Sequence, residues 1–124
     1  MEGYLVKVYS FNKENGKRIT AFDSNFILTQ IAKTENATHT GVVFLEPGGI
    51  IGFHEAVVPQ ILLVIEGEGW VRSDTQEKQR IKKGEAVSWA KGEGHETTTE
   101  KGLTALIIEA EELLPFDCSS PPKT

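Results

Sequence analysis

The chain has little cysteine, no long apolar run and no excess of basic charge. Its 124 residues include a single cysteine, Cys118, near the C-terminus. One cysteine cannot form an internal disulfide, so a secreted framework held by disulfides is excluded. No partner base lies near it in the sequence, and we therefore interpret Cys118 as an incidental thiol rather than a reactive one.

The missing apolar runs and the acidic balance exclude two further classes of protein. No segment approaches the roughly 20 apolar residues that span a bilayer. The first residues lack the basic region and apolar run of a signal peptide, so we expect a cytoplasmic protein with no membrane partner. The net charge of −5 argues against non-specific binding to nucleic acid, which requires a basic face.

What remains is a composition typical of one folded domain. Hydrophobic residues make up 39% of the chain and charged residues 25%, which argues against disorder. A length of 124 residues predicts one domain. We predict that this domain covers residues 1–117, with a barrel core at about 38–110, and that residues 118–124 form a frayed tail.

Many short β-prone segments, separated by glycine and proline and lacking amphipathic helices, predict an all-β sandwich or barrel. The apolar run 61–65, between Pro59 and Gly67, predicts a strand that is buried on both faces. Two glycines in 66–69 predict a hairpin turn there, and 111–114 is interpreted as one helical turn. The predicted strands are 4–9, 18–22, 26–34, 39–45, 50–56, 60–66, 70–73, 80–82, 86–89, 95–99 and 103–110.

Two glycine-containing segments with one histidine each occupy the middle of the chain. The first segment has the spacing G-x5-H-x12-G, formed by Gly48, His54 and Gly67. In the second, the landmarks are Gly84, Gly92 and His95. Together the segments resemble the two motifs of the cupin superfamily, G-x5-H-x-H-x3,4-E-x6-G and G-x5-P-x-G-x2-H-x3-N. The chain resembles small single-domain bacterial cupins, and the resemblance implies a double-stranded β-helix, the jelly-roll barrel of that superfamily.

Four motif positions depart from the cupin pattern. Ala56 stands where the second histidine belongs, and Gln60 stands where the glutamate belongs. In the second motif, Ala90 replaces the proline and Thr99 replaces the asparagine. The glycine framework is therefore intact, whereas two of the usual four metal ligands are changed.

The resemblance implies that His54, Gln60 and His95 meet at one end of the barrel. Imidazole nitrogen and amide oxygen can both bind a divalent metal, so zinc, nickel, iron and manganese are all candidates on ligand type. Gln60 is neutral, however, and Ala56 supplies no ligand, so this set should hold metal weakly. The alternative is a metal-free pocket in which the same three side chains form hydrogen bonds with each other, water or a ligand.

Four other side chains are candidates for the same site. Thr97 shares the inward face of its strand with His95, and Trp89 could stack on a ligand although such aromatics are more often core residues. His39 begins a strand and could point inward, but a surface position is favoured. Glu96 adjoins His95, and strand alternation sends it to the opposite face.

These patterns favour a domain that binds a small molecule around His54, Gln60 and His95. The second hypothesis is a metal-dependent enzyme of dioxygenase, isomerase or epimerase type that uses the same three residues as ligands; it rests on analogy within the superfamily. The third is a subunit whose role is oligomerisation. We also predict a homodimer, because the N-terminal strand and the apolar residues near the C-terminus exceed what one small barrel buries: Leu113, Leu114 and Phe116.

Overall fold

The structure, a computed structural model, describes residues 6–74 and 77–115, and β-strands dominate this part of the chain. The strands are β1 (Val8–Ser10), β2 (Lys17–Ile19), β3 (Phe26–Leu28), β4 (Ala32–Lys33), β5 (Thr38–Leu45), β6 (Ile50–Glu55), β7 (Gln60–Arg72), β8 (Gln79–Lys82), β9 (Glu85–Trp89), β10 (Gly94–Thr98), β11 (Leu103–Ala110) and β12 (Leu114–Pro115). The described helices are two three-residue 3₁₀ turns, Lys13–Asn15 and Ala21–Asp23. No helix in these ranges is long and apolar enough to cross a membrane. The predicted all-β class is confirmed.

The long strand β7 joins two antiparallel sheets. Its first half lies in a sheet with the strand order β1-β9-β7-β11-β5. Its second half lies in a sheet with the order β8-β7-β10-β6. Two small ribbons, β2–β3 and β4–β12, lie apart from these sheets. The two large sheets therefore share β7 and pack against each other. Both motif histidines, His54 and His95, lie in the second sheet.

The predicted hairpin at 66–69 is wrong, because β7 continues through it. The pairing with β11 shifts register between Thr104 and Ala105, which leaves Ile65 as an extra residue on β7. Such a β-bulge bends a strand and increases its twist. Gly67 follows at φ +88°, and a Cβ there would collide with the carbonyl oxygen of Gly102. The glycines therefore bend one strand from the first sheet into the second instead of reversing the chain.

The other corrections concern strand and turn boundaries. The strand predicted for 18–22 ends at Ile19, because Phe22 and Asp23 adopt positive φ. The segment 26–34 divides into β3 and β4. Leu114 is extended and pairs with Lys33, so the helical turn predicted for 111–114 is wrong; a residue that precedes proline avoids the α region. The predicted strand 4–9 lies partly outside the described residues. Phe116 and the whole tail 118–124, which contains Cys118, also lie outside them.

The hydrophobic core lies between the two large sheets. Its fully buried members include Leu62 and Val64 from β7, Val71 farther along the same strand, Trp89 from β9 and Ala105 from β11. The run 61–65 is buried at Ile61, Leu62 and Val64, half-buried at Leu63 and exposed at Ile65. The prediction of a strand buried on both faces therefore holds for the first part of that run.

Candidate ligand pocket

The two motif histidines lie side by side on neighbouring strands. His54 of β6 and His95 of β10 are direct cross-strand partners in the antiparallel pair. Their ring centroids are 4.5 Å apart, and the ring planes are inclined by 54°. The inward register that the sequence predicted for His54 and His95 thus brings the two imidazoles into contact.

His95 is held in an apolar setting that keeps it neutral. Its side chain is 2% exposed, and its ring stacks on Trp89 with centroids 4.8 Å apart and planes inclined by 19°. Burial, with a smaller repulsion from His54, lowers the pKa of His95 to about 4. The Nε2 atom of His95 is buried and has no hydrogen-bond partner among the described residues. At neutral pH this uncharged ring therefore presents an unsatisfied polar atom.

His54 is exposed, and its orientation is fixed by the backbone. Its Nδ1 lies 2.8 Å from the carbonyl oxygen of Gly52. A carbonyl oxygen can only accept, so Nδ1 carries the proton in this contact and Nε2 of the neutral ring keeps its lone pair. The ring can therefore accept a hydrogen bond through Nε2.

A cavity of about 330 Å³ lies against these rings and is walled by strands of both sheets. Thr97 is 1% exposed and contributes a hydroxyl that has no hydrogen-bond partner in the described chain. The wall consists of His39, Thr40, Gly41, Val42, Val43, Ile51, His54, Gln60, Leu62, His95, Thr97, Ile107 and Glu109. Leu62 forms part of the wall, whereas Val64 lies in the core. The cavity combines an apolar body with a few polar atoms, which is the usual make-up of a ligand site.

Glu109 is a wall residue that the sequence analysis did not identify. It is the Cα partner of Gln60 across β11 and β7, and the Gln60 side chain donates from Nε2 to Glu109 Oε2 over 2.6 Å. The signal was present in the alternation along β11, where Leu103, Ala105 and Ile107 put every second side chain on the inner face. Glu109 is the next member of that series.

The remaining candidates divide between the cavity wall and other positions. His39 is exposed near the start of β5, as the sequence favoured. It also lines the cavity, where it is the Cα partner of Glu109. Glu96 is outside the wall and pairs with Arg72 over 2.9 Å, as strand alternation predicted. Trp89 is also outside the wall. It is a core residue that stacks on His95, as the sequence favoured; its alternative role in ligand binding stays a prediction.

The donor set falls short of a resident divalent metal. Ala56, in place of the second motif histidine, is 5% exposed and packs in the hydrophobic core. The amide nitrogen of Gln60 is engaged with Glu109. Within residues 6–74 and 77–115, no three histidine, cysteine, aspartate or glutamate side chains are placed to hold a metal ion together. Two neutral imidazoles and one amide oxygen lack the charge and ligand number that zinc or iron sites use.

Comparison with known proteins identifies the fold. No family model and no curated protein matches the chain. Among solved structures, a cupin superfamily protein from Desulfitobacterium hafniense matches with a TM-score of 0.57 and 10% identity, over 90% of this chain and 83% of that one. A protein with a double-stranded β-helix domain from Klebsiella pneumoniae matches with a TM-score of 0.55 and 17% identity, over 64% and 75%. The jelly-roll cupin fold expected from the two motifs is therefore confirmed.

A further structural neighbour is named for an activity. It is a DMSP lyase from Ruegeria pomeroyi, with a TM-score of 0.56 and 20% identity, and the match covers 65% of this chain but only 44% of that one. At such identities the likeness concerns the fold alone. The chemistry of the present chain has to be argued from its own residues.

Proposed function

We propose that this cupin-fold domain binds a small organic molecule in the cavity beside His54 and His95, without a resident metal. The observation that carries the proposal is the pair of buried, unpartnered polar atoms in the wall, His95 Nε2 and Thr97 Oγ1. Leaving a buried donor or acceptor unsatisfied costs about 1–3 kcal/mol. A ligand with a polar group at this depth would remove that cost.

The rest of the wall suits the body of an organic molecule. Ile51, Leu62 and Ile107 supply apolar surface from both sheets, so binding would bury apolar area as well as satisfy polar atoms. A volume of about 330 Å³ equals the liquid volume of roughly ten waters. The ligand is therefore small, on the scale of a metabolite rather than a peptide.

The metal-dependent enzyme is the weaker candidate. It needs His54, Gln60 and His95 to act as a ligand set, and although His39 and Glu109 line the same cavity, no third histidine or acidic side chain among the described residues is grouped closely enough with the two rings to hold a metal ion. No nucleophile–base pair is evident in the wall either, so we propose binding and assign no reaction. The homodimer, the cytoplasmic location and the lack of nucleic-acid partners stay predictions.

A fragment screen by NMR tests the proposal. Metal-free protein in chelator is titrated with small polar molecules, and the ring protons of His54 and His95 are followed. We expect fragments that shift both rings together and saturably. A screen in which no molecule shifts either ring would contradict the proposal.

Gly41 offers a variant that closes the cavity. It lines the wall, and a Cβ at this position meets nothing within 4 Å. Gly41→Leu should therefore fill the cavity without strain and abolish fragment binding while the protein stays folded. Thr20→Leu is the control, because Thr20 is exposed, forms no side-chain cap hydrogen bond and lies outside the wall. Equal binding to both variants would place the fragments elsewhere.

A further inference from the structure

Apart from three histidines, the wall of the cavity contains one ionisable side chain, and it is acidic. Among its thirteen residues Glu109 is the only carboxylate, and neither lysine nor arginine is present. His95 is held neutral by burial. At a pH where ordinary histidines are neutral, a bound carboxylate or phosphate would therefore meet a like charge with no lysine or arginine in the wall to offset it.

The carboxylate of Glu109 is half-buried and has no cationic partner in the part of the chain that the structure describes. Its hydrogen bond comes from the neutral amide of Gln60, and it belongs to none of the ion pairs there. Three other strand glutamates do pair with cations: Glu96 with Arg72, Glu68 with Arg80 and Glu66 with Lys83. A partly desolvated carboxylate in this position favours a cation supplied from outside.

Gln60 fixes where that cation would lie. The bond from Nε2 to Oε2 orients the Glu109 carboxylate from one side and leaves the second oxygen, Oε1, able to accept. Leu62 lies two residues after Gln60 on β7, and Ile107 lies two residues before Glu109 on β11; the two are Cα partners. The part of the wall next to the Glu109 carboxylate is therefore apolar. The unpartnered Thr97 hydroxyl and His95 Nε2 belong to the facing sheet. The wall thus offers an anionic position, an apolar stretch and a neutral polar position.

We infer, on the premise that this cavity is a ligand site, that it selects small organic cations: a protonated amine joined by a short carbon chain to a hydroxyl. The ammonium group pairs with Glu109 and the hydroxyl bonds with His95 and Thr97. The carbon chain packs on Leu62 and Ile107. Carboxylates and phosphates of the same size are rejected.

Three probes of equal length and different charge test this inference: 4-aminobutan-1-ol, butane-1,4-diol and 4-hydroxybutyrate. Each is titrated into the metal-free protein at about pH 8, where an ordinary histidine is neutral, with the rings of His54 and His95 as readout. A charge-assisted hydrogen bond corresponds to about 10- to 100-fold in affinity. We expect the amine to bind tighter than the diol by about that factor and the carboxylate to bind weakest. Tightest binding of 4-hydroxybutyrate would overturn the inference.

Variants assign the selectivity to Glu109. Glu109→Gln removes the charge and keeps the shape, and it should bring the amine and the diol to within about two-fold of each other. Glu109→Lys should reverse the order in favour of 4-hydroxybutyrate. Glu111→Gln is the matched control, because it removes the same charge from an exposed position just beyond β11 and should leave the order unchanged. Equal effects of Glu109→Gln and Glu111→Gln would overturn the inference.

The outcome separates this inference from the proposed function. If the fragment screen yields binders that shift both histidine rings but amines are not preferred, the charge selectivity is wrong and the pocket stands. If neither the screen nor the three probes shift the rings, the pocket itself is wrong.

Discussion

Acidification should destabilise the folded protein through His95. The pKa of this histidine falls from 6.5 to about 4 on folding, chiefly because the ring is buried. As the pH falls below about 6.5, the unfolded chain takes up the proton and the folded chain does not. Stability from the neutral ring is therefore fully present above pH 6.5, declines between pH 6.5 and 4, and falls no further below pH 4.

The size of this loss follows from the same pKa difference. At about 1.36 kcal/mol for each pKa unit, the full difference corresponds to about 3 kcal/mol. The ring borders a cavity that water can enter, which screens the charged form, so we expect a loss of roughly 1–2 kcal/mol. That is a large share of the stability of a small domain.

Urea unfolding at a series of pH values measures the loss, and the variant His95→Gln isolates it. Glu93 must be separated out, because its burial raises the pKa of that carboxyl. A raised carboxyl pKa has the opposite sign: it adds stability as the pH falls toward 4.5. Both proteins contain Glu93, so the difference between their curves of unfolding free energy against pH reports His95. Parallel curves between pH 6.5 and 4 would refute the reasoning.

Three further predictions concern the bend in β7, the assembly and the altered ligand positions. Gly67→Ala should lower the free energy of unfolding, measured by urea titration, by about 2 kcal/mol or more. The reason is that the position has φ +88° and that a Cβ there would collide with the carbonyl oxygen of Gly102. The control Gly41→Ala should change the free energy of unfolding by less than about 0.5 kcal/mol. Light scattering should give about twice the 13.7 kDa chain mass, and a monomeric parent would contradict the homodimer. Phe44→Asp should yield monomer, because this side chain is 74% exposed on β5. The only described partner of β5 is β11, so the other edge of β5 is open to a second copy. In calorimetry, the double variant Ala56→His, Gln60→Glu should bind nickel or zinc more tightly than the parent, and the gain should shrink at lower pH. The variant should also lose some stability, because Ala56 is a core position. Equally weak metal binding by parent and variant would mean that the four positions do not converge.

The fold was largely predictable because its signals are local. Alternation and glycine or proline boundaries located β5, β6, β9, β10 and β11 to within one or two residues. The hairpin predicted at 66–69 was wrong for a physical reason. Two glycines close together predict a turn as readily as a bend in a continuous strand, and only the partner strand distinguishes the two. Here the close approach of Gly102 to Gly67 is a contact between distant parts of the chain, and no local pattern reveals it.

The site was predictable only where a motif or strand alternation reached it. His54, Gln60 and His95 came from the spacing of the two motifs, and all three line the cavity. Glu109 lies outside both motifs, and His39 was assigned to the surface; both reach the cavity through the register between β11 and its neighbours. Alternation could place each of them on an inner face, but the side chains that they meet depend on the pairing of β11 with β5 and β7, which no local pattern reveals.

The most direct test of the account is the affinity of the tightest-binding fragment, measured on the ring protons of His95 with and without metal. One titration is carried out in excess chelator and a second with an equivalent of zinc. A pocket that works through its own side chains predicts the same dissociation constant in both, and loss of binding in Gly41→Leu. Binding that appears only when zinc is present would contradict the account and favour the metal-dependent enzyme.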